Sequence, residues 1–324
     1  MGILKKLTEE YFGNTIREED LIDIHDLNVE IVSFTDNNGK KHRRGYKPKD
    51  KDTLKELLER MIKMRGDEGD FNDIDTSDIE SMESLFQFNK TFNGDITGWN
   101  VSNVRNMRNM FFYAESFNQP IGNWVFPKVE NMNNMFCHAT SFNQDISKWK
   151  FPNVTDMNSM FYGAKSFNQP IGDWKFPKVE NMRCMFYNAK SFNQDISKWE
   201  FPKVENMSFM FSRATSFNQQ IGNWKFPKVT DMSGMFSGAT SFNQDISKWK
   251  FPNVTDMNHM FYDATSFNQP IGNWEFPNVE KMNRMFYNAS SFNQDLSKWD
   301  LKGKKKIEIF NGCPIKKEYK PKMK

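Results

Sequence analysis

Residues 142–166 read Phe142-Asn143-Gln144-Asp145-Ile146-Ser147-Lys148-Trp149-Lys150-Phe151-Pro152-Asn153-Val154-Thr155-Asp156-Met157-Asn158-Ser159-Met160-Phe161-Tyr162-Gly163-Ala164-Lys165-Ser166, and Phe167-Asn168-Gln169 begins the same phrase again. The tryptophans Trp99, Trp124, Trp149, Trp174, Trp199, Trp224, Trp249, Trp274 and Trp299 are all spaced by 25 residues. Counted back from each Trp, Ile stands at three (Leu296 once), Asn at six, Phe at seven and thirteen, and Met at seventeen. Of the 32 Phe, 25 fall in three fixed slots, so the aromatic content belongs to the repeat. A fixed period of this length is the mark of a repeat architecture.

A unit of 25 residues with about nine apolar slots cannot bury itself and must stack on its neighbours. The sequence therefore predicts a repeat solenoid of about ten coils over residues 71–301. At about 4.8 Å per coil it would be roughly 45–50 Å long. Ile146-x-x-Trp149-x-Phe151 reads as a short parallel strand with Trp149 and Phe151 inward and Lys148 and Lys150 outward, ended by Pro152. Val154, Met157, Met160, Phe161 and Ala164, at spacings of three and four, read as a short helical turn facing the core. A second period of 50 residues lies inside the first. Asn-Gln-Asp-Ile-Ser-Lys-Trp at Trp149, Trp199 and Trp249 alternates with Asn-Gln-Pro-Ile-Gly-Asn-Trp and its near-copies, the trace of a duplicated two-coil unit.

The phrase Trp-x-Phe-Pro-x-Val-x-x-Met-x-x-Met-Phe-x-x-Ala-x-Ser-Phe-Asn-Gln resembles the BspA-like leucine-rich repeat of bacterial surface proteins, in a divergent Met-Phe-Trp form. The resemblance covers about residues 71–301. It implies a leucine-rich-repeat-like solenoid with a role in attachment or binding, at a cell-surface or secreted address, and no catalytic residues.

Outside the repeats, residues 1–47 read as a small separate element. Ile31–Phe34, Asn37-Asn38-Gly39 and Lys40–Tyr46 there suggest a hairpin. Residues 48–70 read as a capping helix and linker, with apolar Leu54, Leu57, Leu58, Met61 and Ile62 on one face. Residues 302–324 carry nine Lys against Glu308 and Glu318, and read as a solvated basic cap or tail with a last edge strand at Ile307–Phe310. The first residues lack the apolar core of a secretion signal and the Ser or Thr of an acylation motif. On that reading alone the chain is expected to be cytoplasmic.

The 324 residues carry 44 basic and 41 acidic side chains, a net charge of +3, which excludes a strongly basic nucleic-acid binder. Mean hydropathy is −0.75, too polar for one spherical core of this length. There is no apolar run long enough to span a membrane. Three cysteines without CxxC or metal-ligand spacing argue against a disulfide framework. The search for chemistry returns structural explanations. The Asn column reads as bonding neighbouring coils, and the Trp and Met columns as core. His138 and His259 fall in different slots and cannot share a site. The Asp145, Asp195, Asp245 row is periodic, whereas glycoside chemistry needs one special pair. No catalytic, cofactor or metal residues are expected. The candidate binding face is the outward row beside the tryptophans: Lys148, Lys150, Lys175, Lys198, Lys225, Lys248, Lys250 and Lys298, interrupted by Asp173, Glu200, Glu275 and Asp300. It lacks Arg, so nucleic acid is disfavoured. The expected partner is a protein or polymer, and the expected function a non-enzymatic interaction or attachment scaffold. The alternative is a purely structural spacer whose termini do any binding.

Overall fold

A computed structural model describes residues 22–322. Residues 1–21 and 323–324 lie outside the described residues, and with them the leader and acylation readings. Strands β1 (Val29–Thr35) and β2 (Lys41–Pro48) form an antiparallel hairpin, followed by helix α1 (Lys51–Arg65). The Asp50 carboxylate accepts the Thr53 N–H at 2.9 Å and opens α1. Gly66, at φ 79°, closes it by donating its N–H to the Ile62 carbonyl. Leu54, Leu57, Leu58 and Met61 are buried, and Arg65 at the end of α1 bonds Asp70 O and the Asp73 carboxylate at 2.7–2.8 Å, which holds α1 against the first unit.

The described part of the N-terminal element is not separate. Tyr46 of β2 donates its N–H to Asp73 O at 2.8 Å and accepts from Asp75 N at 2.9 Å. The hairpin tip reaches further: Asn37 N–H donates to Gly98 O, and Asn38 bonds the side chains of Thr97 and Asn123. Beneath the tip, the Asp36 carboxylate meets His42 Nε2 at 2.8 Å and accepts the N–H groups of Asn38 and Lys40. Burial opposes that charge, but the bonds from His42 and the two amides outweigh it and hold the carboxyl below its usual range.

From Ser81 onward each unit joins the next by a parallel bridge 25 residues on, in an unbroken run ending at Lys281↔Lys305, where the step is one residue shorter. The bridge sits two residues after the Val slot and not at Trp. From there the chain is a series of β-turns. Met160, Tyr162 and Ala164 each donate N–H three residues back, while Met157, Ser159, Phe161 and Gly163 donate to the unit ahead, at Asn181, Arg183, Met185 and Tyr187. The helical turn expected at Met-x-x-Met-Phe is therefore corrected. The residues fifteen and eleven before Trp take left-handed backbone, as at Asn109 (φ 56°) and Tyr113 (φ 58°), which no helix interior accepts. Inter-unit bonds replace the i−4 bonds that a helix would use.

The strand expected at Trp is corrected as well. Residues 149–151 form no ladder. Ring spacing explains why. Equivalent rings of successive units are 5.6 Å apart at Phe161–Phe186, 6.1 Å at Phe167–Phe192 and 6.4 Å at Trp174–Trp199. Backbone pairing requires about 4.8 Å. The units thus fan open away from the bridged side, and at the Trp side the indole itself crosses the gap. Trp174 Nε1 donates to Ile146 O at 3.1 Å, and Trp199 Nε1 to Ile171 O at 3.0 Å. The Asn column bonds in the same sense: Asn168 Oδ1 accepts Asn193 N–H at 2.9 Å, and Asn193 Oδ1 accepts Asn218 N–H at 2.9 Å.

All nine inward slots are buried, as at Val154, Met157, Met160, Phe161, Ala164, Phe167, Ile171, Trp174 and Phe176. The basic C-terminal segment is not a solvated tail through its described length. Ile307–Phe310 forms turns, not an edge strand. Ile309, Phe310 and Ile315 are buried, Ile309 O accepts Phe286 N–H, and Tyr319 O accepts Leu296 N–H. It is one more partial unit closing the stack.

Candidate binding surface

The eight lysines of the predicted face, Lys148, Lys150, Lys175, Lys198, Lys225, Lys248, Lys250 and Lys298, are all exposed and flank the tryptophans in two adjacent columns. Lys148, Lys198, Lys248 and Lys298 stand in the turn that precedes Trp, and Lys150, Lys175, Lys225 and Lys250 on the irregular chain after it, on the opened side of the stack. Pro152 and its equivalents one turn further on leave shallow grooves between units. One is lined by Lys198, Glu200, Pro202, Asn223 and Lys225; another by Val125, Pro127, Lys148, Lys150 and Pro152. Val125, 63% exposed, makes the second groove more apolar. The field is not uniform, because Asp173 pairs with Lys198 at 3.1 Å. Such an exposed pair is worth little to stability.

The acidic row beside it has a structural role. Asp145, Asp195, Asp245 and Asp295 each accept the N–H of the Ser two residues on, at 2.8–2.9 Å. The Ser side chain and this amide hold each carboxyl below its usual range. A depressed folded pKa contributes stability above the unfolded value, and that stability is lost as pH falls through the folded value. Below about pH 4, the midpoint of urea unfolding is expected to fall more steeply for the native chain than for a variant with all four changed to Asn. Parallel pH profiles would show that these turns carry no linkage.

The remaining reactive groups do not converge. His25 is exposed, the His42 side chain is 8% exposed against Asp36, and His138 and His259 occupy the two left-handed columns. Cys137, Cys184 and Cys313 are free; burial pushes the Cys137 thiol up to about 12 and raises the other two. Among the described residues no three His, Cys, Asp or Glu are arranged to hold a metal, and no helix is long and apolar enough to cross a membrane.

A second surface escaped the sequence reading: the bridged side, formed by the β-turns. Its slots fifteen, twelve and eleven before Trp change from unit to unit while the Met and Phe between them persist. Tyr113, His138, Tyr162 and Tyr187 project here half-exposed. Tyr113 stacks on His138 at 4.2 Å and Tyr162 on Tyr187 at 4.5 Å. The signal was present as variability in otherwise fixed units, with Gly163, Gly234 and Gly238 marking the left-handed positions.

No curated protein and no solved structure matches the chain. The model of the family described as Mycoplasma protein of unknown function, DUF285, matches residues 53–161, 145–239 and 210–319, and the chain belongs to this repeat family.

Proposed function

We propose that the chain is a non-enzymatic attachment scaffold, a leucine-rich-repeat-like solenoid of the BspA-like kind, presenting recurring side chains to a protein or polymer at a cell surface. The observation that carries this reading is the division of labour within the unit. The invariant aromatic and Met slots are consumed by the core, whereas the lysines beside Trp recur in two exposed columns. A repetitive partner gains on such a row by multivalency. The attraction is screened by salt over about 8–10 Å. A spacer is the second reading, favoured by Glu200, Glu275, Asp300 and the Asp173–Lys198 pair, which dilute the charge of those columns.

The test is affinity for a long sulfated polysaccharide at two salt concentrations. Compared are the native chain and a variant carrying Lys148→Glu, Lys150→Glu, Lys198→Glu and Lys248→Glu. The scaffold reading expects about tenfold or greater loss in the variant and weaker binding of the native chain at high salt. Equal, salt-insensitive binding by both would favour the spacer.

A further inference from the structure

We propose that the bridged face between residues 133 and 215 docks an extended acidic protein segment. Lys165, Arg183, Lys190 and Arg213 are exposed here, and among the described residues none has an ion-pair partner. The turns from 133 to 141, 158 to 166, 183 to 191 and 208 to 216 contain no Asp or Glu. Carboxylates border the turns: Glu130, Glu180 and Glu205 stand exposed one residue before the bridge positions, Glu130 paired with Arg105. Glu115 is held by Lys90 at 2.9 Å, Asp156 accepts Asn158 N–H at 2.9 Å, and Asp231 accepts Ser233 N–H at 2.8 Å. Asp263 begins the acidic content two units past Arg213. The charged side chains of the turns themselves are therefore all basic, with the acidic groups confined to their edge, unlike the mixed columns beside Trp.

The rings decide the class of anion. Tyr162 and Tyr187 lie parallel within 4°, each covering the face of the other, and the Arg213 guanidinium lies 5.9 Å from the Tyr187 centroid. What reaches solvent is ring edges, which carry the positive end of the aromatic quadrupole. A nucleobase or sugar ring would need an open face, and a carboxylate would not. Tyr and Arg are also side chains enriched where protein partners anchor. Length agrees: at the paired spacing of about 4.8 Å per unit, with Tyr162 and Tyr187 4.5 Å apart, the three steps across the patch span about 14 Å, matching about four residues of extended chain at about 3.3 Å each.

The experiment measures fluorescence anisotropy of a labelled six-residue peptide alternating Glu and Ser, titrated with the full chain. The native chain is expected to bind saturably and more weakly as salt rises. Arg183→Glu with Arg213→Glu should weaken binding at least about tenfold, with an unchanged melting curve because both side chains are exposed. Tyr162→Phe with Tyr187→Phe should give a smaller loss. A Lys148→Glu, Lys150→Glu, Lys248→Glu variant should stay within about twofold, since the short probe cannot reach the opposite side. Loss in that variant instead would assign the attraction to the face beside Trp and overturn this proposal without touching the scaffold reading. It is equally overturned if the native chain shows no saturable binding, if the Arg double variant binds as the native chain does, or if a six-nucleotide single strand binds more tightly than the peptide.

Discussion

Trp174→Ala is expected to lower the free energy of unfolding by about 3–5 kcal/mol, the range for deleting a fully buried large aromatic side chain. Trp174 is 1% exposed and meets rings on both sides, Phe151 at 4.8 Å and Trp199 at 6.4 Å, as well as Phe161 in its own turn series. Its Nε1 also supplies the bond to Ile146 O that joins units where no ladder exists. Truncation thus leaves a cavity and removes one of the two N–H groups donated to Ile146 O, the Trp149 amide keeping the other bond. Trp99→Ala should cost less. Trp99 keeps the equivalent bond, to Phe71 O at 3.0 Å, but its ring is flanked at close range only by Phe86 among the described aromatic pairs. Denaturant melts of both variants decide the matter. Equal and small losses would mean that the indoles are not part of a packed core.

The second large effect is expected at Gly172. A Cβ there would lie 2.4 Å from the carbonyl oxygen of Asp195 in the next unit, well inside contact distance and against backbone that cannot swing away. The same approach recurs between Gly122 and Asp145, Gly222 and Asp245, and Gly272 and Asp295. This gives the 50-residue period a steric cause. Gly stands two before Trp whenever the following unit has Asp four before its own, and Ser or Thr stands there when the following residue is Pro or Gln, as with Ser147 before Pro170 and Ser197 before Gln220. Gly172→Ala is expected to cost about 1–3 kcal/mol as overpacking, and Gly172→Val more. Ser197→Ala should cost less than Gly172→Val, since it adds no atom and loses only the hydroxyl that bonds the Asp195 carboxylate. A Gly172→Ala chain as stable as the native one in the same melts would remove the steric account and leave duplication as the whole explanation.

The repeat, its register and its buried slots were legible because they are a matter of periodicity. Any residue that returns every 25 positions with the same apolar character must face the same way. The Asn column was legible for a related reason, since a polar side chain repeated at a buried turn must bond its neighbour. What could not be read was backbone conformation. Spacings of three at Val154, Met157 and Met160 fit a helix and a series of β-turns equally well, and only the left-handed φ at positions such as Ser159 and Cys184 separates the two. Trp149-x-Phe151 alternates as a strand does, yet the width of stacked indoles holds its backbone too far from the next unit to pair. The fit of Ile309, Phe310 and Ile315 into a last partial unit was hidden by the lysines around them and by a step one residue short of the period.

Removing residues 175–224 takes out one 50-residue period and joins Trp174 to Glu200's register mate Lys225, so that Gly172 still precedes an Asp unit, at Asp245. If the chain is a continuous stack in which each unit contacts only its neighbours, those contacts are remade across the junction. Small-angle scattering on the native and shortened chains is the direct measurement. The stack predicts that the shortened chain stays folded and that its maximum dimension falls by two unit spacings, about 11–13 Å, as set by the 5.6 Å step at Phe161–Phe186 and the 6.4 Å step at Trp174–Trp199. An unfolded product, or a folded one whose cross-section shrinks while its length is unchanged, would contradict the stack.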